Sequence, residues 1–342
     1  MAYDAFVLLS FGGPEKPDDV MPFLRNVVRG RGVPDERLAE VSEHYMHFGG
    51  VSPINQQCRD LLAAVDADFE AHGVDLPTYW GNRNWQPMLE DTVAQMRDDG
   101  VTHALGFATS AYGGYSSCHQ YWEDIARARE KVGPRAPQIS KLRQFWDHPG
   151  FIGPHVDAVQ LALEKLEPAR RASTRVVFTA HSIPVSMART AGPDGGRYTA
   201  QLEETARLVS AEAATDLPWD LVWQSRSGPP QVPWLEPDIN DHLTALAEKG
   251  VTDVVVSPIG FVSDHLEVLW DLDNEALETA KKLGLGYARA ATPGTDPRFV
   301  TMVRHLVEER TAGRARERLG TLPIWDVCPS GCCPTPQRPG AK

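Results

Sequence analysis

Long apolar runs are absent from this chain of 342 residues. No uninterrupted apolar stretch approaches the roughly 20 residues that a helix needs to cross a bilayer. The opening segment, MAYDAFVLLSFGGPE, has no basic residues ahead of its apolar run, so it is not typical of a secretory signal. We therefore expect a cytoplasmic protein without an integral membrane segment.

Positive charge is also scarce, because 34 lysines and arginines stand against 46 aspartates and glutamates, giving a net charge of -12. A phosphate backbone would be repelled by this balance, so we expect no nucleic-acid partner. Nucleotide-binding motifs are missing as well. SFGGPE is not a G-x-G-x-x-G sequence, and its proline falls where a phosphate-binding helix would begin.

Cysteine is uncommon, with five residues in the chain: Cys58, Cys118, Cys328, Cys332 and Cys333. An odd number without a signal segment argues against a disulfide framework. Three of them fall within VCPSGCCP, whereas zinc and iron–sulfur sites both take four ligands. Cys118, in a predicted loop that a docked tail could reach, is the candidate fourth ligand, and Cys58 is predicted to be a packed thiol. Zinc, an iron–sulfur cluster and free thiols on a disordered tail all stay open at this point.

Eight short β-rich segments alternate with helical patterns, which is typical of βαβ units and parallel sheets. The predicted strands are 5–11, 78–84, 103–110, 139–145, 175–182, 220–227, 253–261 and 287–293. They fall into two sets of four with similar loops, which indicates an internal duplication, although any two parallel α/β halves share some likeness. We predict an α/β protein with two Rossmann-like domains, each with a four-stranded parallel sheet flanked by helices, and a cleft between them. The predicted limits are 1–145, 146–316 and a cysteine-containing tail over 317–342.

Carboxylates recur every three or four residues in SDHLEVLWDLDNEALE, a segment predicted to be helical. At about 100° per residue, one narrow face carries Asp264, Glu267, Asp271, Glu275 and Glu278. Like charges at this spacing destabilise a helix, so a bound cation or shared protons would offset their repulsion. An ordinary solvated face is the alternative. The face begins at the end of a predicted strand, and this position favours a function.

One histidine, His181 in TAHSIP, is predicted at the end of another strand of the same sheet. A lone histidine is more often a packed or capping residue than a catalyst. Here the carboxyl ends of parallel strands meet at one edge of the sheet, which places His181 and Glu267 at the same cleft. A neutral imidazole and a carboxylate facing one cleft could bind a divalent cation or move protons.

Six motifs occur in order across nearly the whole chain: LLSFGGPE, GRGVP, HFGGVSPIN, TAHSIP, VWQSRSGPPQVPWLEP and PIGFVSDHLEVLWDLDNEA. Together they resemble the ferrochelatase family, and above all its actinobacterial coproporphyrin III type. The resemblance implies the chelatase fold and a lyase that inserts its substrate Fe(II) into coproporphyrin III during heme synthesis. Transient contact with neighbouring heme-pathway enzymes is a further expectation. Protoporphyrin IX as substrate, cobalt insertion, and a non-catalytic tetrapyrrole- or metal-binding protein are the alternatives.

The resemblance also implies roles for individual residues. His181 and Glu267 match the iron site and its catalytic pair, and Asp271 and Glu275 match an acidic track beside it. The implied porphyrin contacts are Ser52, Tyr121, Tyr45, Arg29, Arg31 and Phe11. Either arginine could pair with a propionate, and a solvated loop arginine is the alternative.

Two departures from the family pattern affect these contacts. Some relatives have a tyrosine near the metal where this chain has Phe11, which has no oxygen to ligate iron. His44 precedes Tyr45 where relatives carry an arginine, which puts one propionate contact in doubt. The resemblance finally implies a 2Fe-2S cluster, with the ligands Cys118, Cys328, Cys332 and Cys333.

Overall fold

Two parallel four-stranded sheets form the framework of the computed structural model, which describes residues 2–30 and 32–336. The first sheet contains β1 (Ala5–Ser10), β2 (Thr78–Asn82), β3 (His103–Ala108) and β4 (Gln138–Lys141). The second contains β5 (Thr174–His181), β6 (Trp219–Gln224), β7 (Asp253–Ser257) and β8 (Gly286–Arg289). The strand orders are β2-β1-β3-β4 and β6-β5-β7-β8, so the second sheet repeats the order of the first. The predicted fold class is confirmed.

Burial explains why these segments form central strands. Every residue of β1 and of β7 is buried, as expected for strands that helices cover on both faces. In β1, Leu8 lies beside Trp80 on one neighbouring strand and beside Phe107 on the other. All strands within a sheet are parallel, so their carboxyl ends share one edge, and β5 ends there at His181.

Twelve α-helical segments surround the sheets within the described residues: α1 (Val20–Val27), α2 (Asp35–His47), α3 (Ile54–His72), α4 (Leu89–Asp98), α5 (Gln120–Val132), α6 (Pro149–Glu164), α7 (Val185–Arg189), α8 (Arg197–Ala213), α9 (Ile239–Glu248), α10 (Leu266–Val268), α11 (Leu277–Leu283) and α12 (Pro297–Thr311). Short 3-10 turns occupy Pro17–Asp19 and Pro168–Ser173, and π-helical turns occupy Tyr115–His119 and Leu269–Ala276. None of the described helices is both long and apolar enough to span a membrane.

The segment 266–283, whose carboxylates were predicted to lie on one face of a regular helix, departs from that prediction in one respect. Its middle, Leu269–Ala276, is π-helical and joins α10 to α11. A π turn bonds each residue to the fifth along instead of the fourth, so the wheel drawn for a regular helix does not hold across it.

The last helix crosses back to the first half of the chain. α12 packs against α6 and against α3. Arg304 on α12 donates to Asp68 on α3 at 2.7 Å, and Glu309 accepts two hydrogen bonds from the buried Arg143, which follows β4. The largest core cluster accordingly draws residues from both halves. The domain limits given above stay a prediction.

Candidate functional site

His181 and Glu267 meet at the carboxyl edge of the second sheet. His181 is the last residue of β5, and Glu267 lies in α10, which begins after the loop that follows β7. The distance from His181 Nε2 to a carboxylate oxygen of Glu267 is 3.7 Å. His181 Nδ1 bonds to the Ser182 carbonyl. Since a carbonyl can only accept, Nδ1 donates this hydrogen bond, which leaves Nε2 as the ring nitrogen that faces Glu267.

Both side chains have room to move. The His181 side chain is 33% exposed and that of Glu267 is 48% exposed. A flat aromatic ligand between them would need about 7 Å, which is two carbon contacts of about 3.5 Å each. The observed 3.7 Å is shorter, so the two side chains must part before a macrocycle could lie between them.

Asp271 continues the acidic surface into the protein. It is buried, and it accepts hydrogen bonds from the Ser225 hydroxyl and, at 3.2 Å, from the Gln224 amide. The pKa of Asp271 is raised to about 7, chiefly by burial and also by the charges of Glu267 and Glu275, against the lowering effect of the two donors. A carboxyl that titrates near neutral pH can both take up and release protons.

Only part of the predicted carboxylate face survives in the structure. Asp264 precedes α10 and forms an ion pair with Arg289 at 2.9 Å, so its inclusion in the face is wrong. Arg289 also binds Asp273, at 2.7 Å. Glu278 is exposed and lies 3.8 Å from Lys282. Within the described residues, no lysine or arginine lies within 4.0 Å of Glu267, Asp271 or Glu275, which the π-helical segment and its flanking turn carry together.

The α1–α2 pair covers the start of this acidic segment. Phe11, Phe23 and Tyr45 pack in one apolar cluster with Leu266, the neighbour of Glu267 in sequence. The ring centres of Phe11 and Phe23 lie 6.2 Å apart, and those of Phe23 and Tyr45 lie 5.8 Å apart. Burial and the Glu267 charge both raise the pKa of Tyr45. The predicted contacts Phe11 and Tyr45 therefore lie near Glu267.

Trp270 ties the same pair of helices to the π-helical segment. Its ring stacks on His44 with centres 3.9 Å apart and planes 6° apart. Burial lowers the pKa of His44, although the charge of Glu275 acts in the opposite direction. The residue that departs from the family pattern is thus held next to the outer end of the acidic track.

The remaining predicted contacts are distributed around the first sheet. Ser52 and Tyr121 are buried, and the Arg83 guanidinium lies 4.6 Å from the Tyr121 ring centre and 5.8 Å from that of Phe11. Arg29 is exposed and donates to the Asn26 side chain. The predicted contact Arg31 lies outside the described residues.

Sequence reasoning missed three polar residues of this region: Ser225, Gln224 and Arg83. Ser225 has a positive φ of 61°, a conformation that non-glycine residues seldom adopt. This backbone turn aims its hydroxyl at Asp271. The motif QSRSG marked a loop at a strand end, but nothing in its letters indicates a left-handed serine.

The predicted cysteine ligands come together where the tail meets the first half. Cys118 lies in the π turn Tyr115–His119 and is buried. The sulfurs of Cys332 and Cys333 are 3.5 Å apart, and Cys333 accepts the Gly192 N–H at 3.0 Å. Cys328 donates to Cys118, completing the group. Cys58 lies elsewhere in α3, where burial raises its pKa to about 11, as expected for a packed thiol.

The pKa shifts of these cysteines differ in direction: the bond to Cys118 raises the pKa of Cys328, and burial raises that of Cys333 to about 12. Hydrogen bonding from Cys328, helped by the Lys141 charge and the Gln144 amide, holds the pKa of Cys118 well below its usual range despite burial. Thiolates, not thiols, bind metals. Among the described residues, no three cysteine sulfurs lie within 4.8 Å of one another. Four sulfurs on one zinc would lie about 3.8 Å apart, given bonds of about 2.3 Å, so these sulfurs are not spaced for a single zinc ion.

A second group of candidate ligand atoms is less suitable. In the described part of the chain, His148, His305 and Glu317 place such atoms within 4.8 Å of one another. However, His148 Nδ1 accepts the Gly150 N–H at 2.9 Å, and burial lowers the pKa of His148 to about 3. A neutral ring that accepts at Nδ1 carries its hydrogen on Nε2, so neither nitrogen has a free lone pair.

Comparison with known structures identifies the class. The structure described as SirB from Bacillus subtilis with Fe3+ aligns with a TM-score of 0.55 at 15% identity, covering 91% of this chain and 98% of that one. DR2241 from Deinococcus radiodurans, described as structurally similar to chelatases, aligns with a TM-score of 0.51 at 13% identity, covering 93% of this chain and 56% of that one. The fold is therefore that of the chelatases.

Sequence comparison then identifies the family. The family model described as Ferrochelatase matches residues 3–311. A protein from Nocardia farcinica named coproporphyrin III ferrochelatase is 59% identical, covering 100% of this chain and 99% of its own. A protein of the same name from Streptomyces griseus is 54% identical, covering 97% of this chain and 93% of its own. This chain belongs to the ferrochelatase family.

Proposed function

We propose that this chain inserts Fe(II) into coproporphyrin III, with His181 and Glu267 as the pair that handles the metal and the pyrrole protons. The observation that carries the proposal is the approach of His181 Nε2 to within 3.7 Å of the Glu267 carboxylate at the carboxyl edge of the second sheet. The similarity to proteins named coproporphyrin III ferrochelatase supports the choice of porphyrin.

The reaction exchanges two pyrrole protons for one ferrous ion. Fe(II) must lose bound water, and a cleft that holds the ring slightly saddled exposes nitrogen lone pairs on one face and N–H groups on the other, at the expense of binding energy elsewhere on the ligand. A neutral imidazole suits both Fe(II) ligation and proton abstraction near neutral pH. Whichever of these His181 performs, Glu267 performs the other.

Asp271 is the next acceptor in this proposal. Its pKa of about 7 lets it take a proton from Glu267 and release it at neutral pH. Glu275 is exposed and passes the proton to solvent. The acidic track would thereby drain the two protons that leave each porphyrin.

The macrocycle is proposed to contact Ser52, Tyr121, Tyr45 and Phe11, with Arg29 and Arg31 at its propionates. Coproporphyrin carries four propionates against two in protoporphyrin IX, so it needs more polar or basic groups at the rim of the cleft. The apolar cluster that includes Phe11 and Tyr45 supports a ring-facing surface on that side of the cleft. A cytoplasmic location and transient contact with neighbouring heme-pathway enzymes remain predictions.

We also propose that Cys118, Cys328, Cys332 and Cys333 hold a 2Fe-2S cluster. The lowered pKa of Cys118 and the 3.5 Å separation of the Cys332 and Cys333 sulfurs support this ligand set. When bound, such a cluster supplies one-electron redox chemistry and a covalent link between the tail and the first half of the chain. The insertion chemistry at His181 does not require it.

An anaerobic insertion assay tests the proposed function. The purified chain is incubated with Fe(II) and either coproporphyrin III or protoporphyrin IX, and loss of the free-base spectrum is recorded. We expect turnover with coproporphyrin III, and we expect His181→Ala to abolish turnover while porphyrin binding, followed by tryptophan quenching, persists. Binding without turnover in the unsubstituted chain would instead favour a transport protein, and faster turnover of protoporphyrin IX or with Co(II) would reassign the substrate.

A further inference from the structure

The C-terminal tail docks on one short segment of the second half. Arg197 donates to the Pro323 carbonyl at 2.8 Å, and its guanidinium lies 4.8 Å from the Trp325 ring centre. The Gly192 N–H donates to Cys333 at 3.0 Å. Gly192 lies in the loop between α7 and α8 and Arg197 is the first residue of α8, so three tail contacts converge there.

This loop is linked to the proposed catalytic histidine. The Arg197 N–H donates to the Ala191 carbonyl at 2.8 Å, which closes the loop onto the first turn of α8. The next residue, Tyr198, is buried, and its hydroxyl donates to the carbonyl of His181 at 2.9 Å. The Tyr198 ring packs against Tyr112 and Trp223, so it has little freedom to turn.

The hydrogen bond to the His181 carbonyl fixes one peptide plane. That plane contains the His181 carbonyl and the Ser182 N–H, which donates to the Gln224 carbonyl at 2.7 Å. The imidazole in turn bonds through Nδ1 to the Ser182 carbonyl. The direction of Nε2 therefore depends on the backbone conformation of residues 181 and 182. Tyr198 restrains that conformation through its hydrogen bond to the His181 carbonyl.

We propose that the docked tail positions the imidazole of His181, acting through Arg197 and the Tyr198 hydroxyl. Tyr198 is thus a positioning residue for metal insertion. This proposal rests on the proposed role of His181, but it does not depend on what the four cysteines bind. It also gives the tail a task in a chain whose insertion chemistry takes place at a separate site.

Steady-state kinetics of Tyr198→Phe test the first link. The variant removes only the hydroxyl, and we expect kcat to fall between about tenfold and 100-fold, since a displacement of about 1 Å in a reacting group can cost on the order of 100-fold. KM for porphyrin should change less than twofold, and the pH profile of kcat should shift. Tyr112→Phe is the matched control, because Tyr112 is equally buried and its hydroxyl donates to the Ile259 carbonyl at 2.7 Å.

A double-mutant cycle with Trp325→Ala tests the link to the tail. Trp325 is partly exposed, so its loss should leave the fold intact, which circular dichroism would verify. We expect Trp325→Ala to lower kcat in the same direction as Tyr198→Phe, and the double variant to lose less than the product of the two effects. Independent effects would overturn the role of the tail.

Three outcomes separate this proposal from the proposed function. If the unsubstituted chain converts no porphyrin, the proposed function fails. If it is active but Tyr198→Phe and Tyr112→Phe match in kcat and in pH profile, the positioning role of Tyr198 is refuted. If Tyr198→Phe does not fold, Trp325→Ala alone decides, and an unchanged pH profile and kcat in that variant refute the proposal.

Discussion

Replacing the buried carboxyl of Asp271 by an amide should make the protein more stable and less active. Asp271→Asn keeps the shape of the side chain and can still accept from Ser225 and Gln224. It removes a carboxyl whose pKa rises from an ordinary 3.8 to about 7 on folding. A group of this kind binds more protons in the folded state than in the unfolded state across that window.

The sign and size of the effect follow from linkage. Because the folded state binds the extra proton, stability is lost as the pH rises from about 4 to 7. One pKa unit corresponds to about 1.4 kcal/mol, so the total loss of stability, which is complete above pH 7, is on the order of 4 kcal/mol. About 3 kcal/mol of this total is lost between pH 5 and pH 8. These values are upper bounds, since relaxation around the carboxylate reduces them. Asp271→Asn has no carboxyl at this position, so it does not lose this stability as the pH rises.

Urea unfolding at pH 5 and at pH 8, followed by tryptophan fluorescence, measures this difference. The stability gain of Asp271→Asn over the unsubstituted chain should be larger at pH 8, and subtracting the two chains cancels the other titrating groups to first order. A gain that is equal at both pH values would refute the raised pKa of Asp271 and, with it, the proton track. In the insertion assay the same variant should lose kcat while its KM for porphyrin is retained.

Three further predictions concern single groups. Glu267→Gln should abolish insertion but spare porphyrin binding, measured by absorbance and by fluorescence quenching; sustained turnover would contradict its role. Ser225→Ala removes a donor that lowers the pKa of Asp271. A hydrogen bond to a charged group is worth about 1.5–3 kcal/mol, so its loss should raise the pKa of Asp271 by about one unit or more. Because Asp271 accepts protons when ionised, kcat should rise with pH as it ionises, and the midpoint of that rise should move up by the same amount. Cys118→Ser should remove any visible absorbance band and bound iron from the isolated protein, while the matched Cys58→Ser should keep both.

The two sheets could be predicted from the amino-acid sequence because their strands have a clear apolar pattern. The strands AFVLLS and DVVVS have uninterrupted apolar centres, AFVLL and VVV, and this is what a parallel strand with both faces covered requires. The helices α1 and α2 were not anticipated. α2 has two buried residues, Leu38 and Tyr45, so most of its sequence gives little indication of which side faces the protein.

The proximity of His181 and Glu267 could be predicted from the sequence, but the geometry around them could not. The motifs TAHSIP and SDHLE placed His181 and Glu267 at neighbouring strand ends, and the structure brings them within 3.7 Å. The angular arithmetic that put Asp264 on the acidic face assumed a regular helix from the first residue. A helix start at Leu266 and a π-helical middle depend on packing against Arg289 and β8, which no local pattern encodes.

The return of α12 to the first half has a consequence for biosynthesis. A chain emerges from the ribosome with its amino end first, and domains commonly fold as they emerge. Here α3 packs against a partner translated more than two hundred residues later, so the surface of α3 that α12 covers stays exposed until that helix has been made. A chain truncated before residue 297 would accordingly expose this apolar surface and be prone to aggregation, instead of forming an independently folded module.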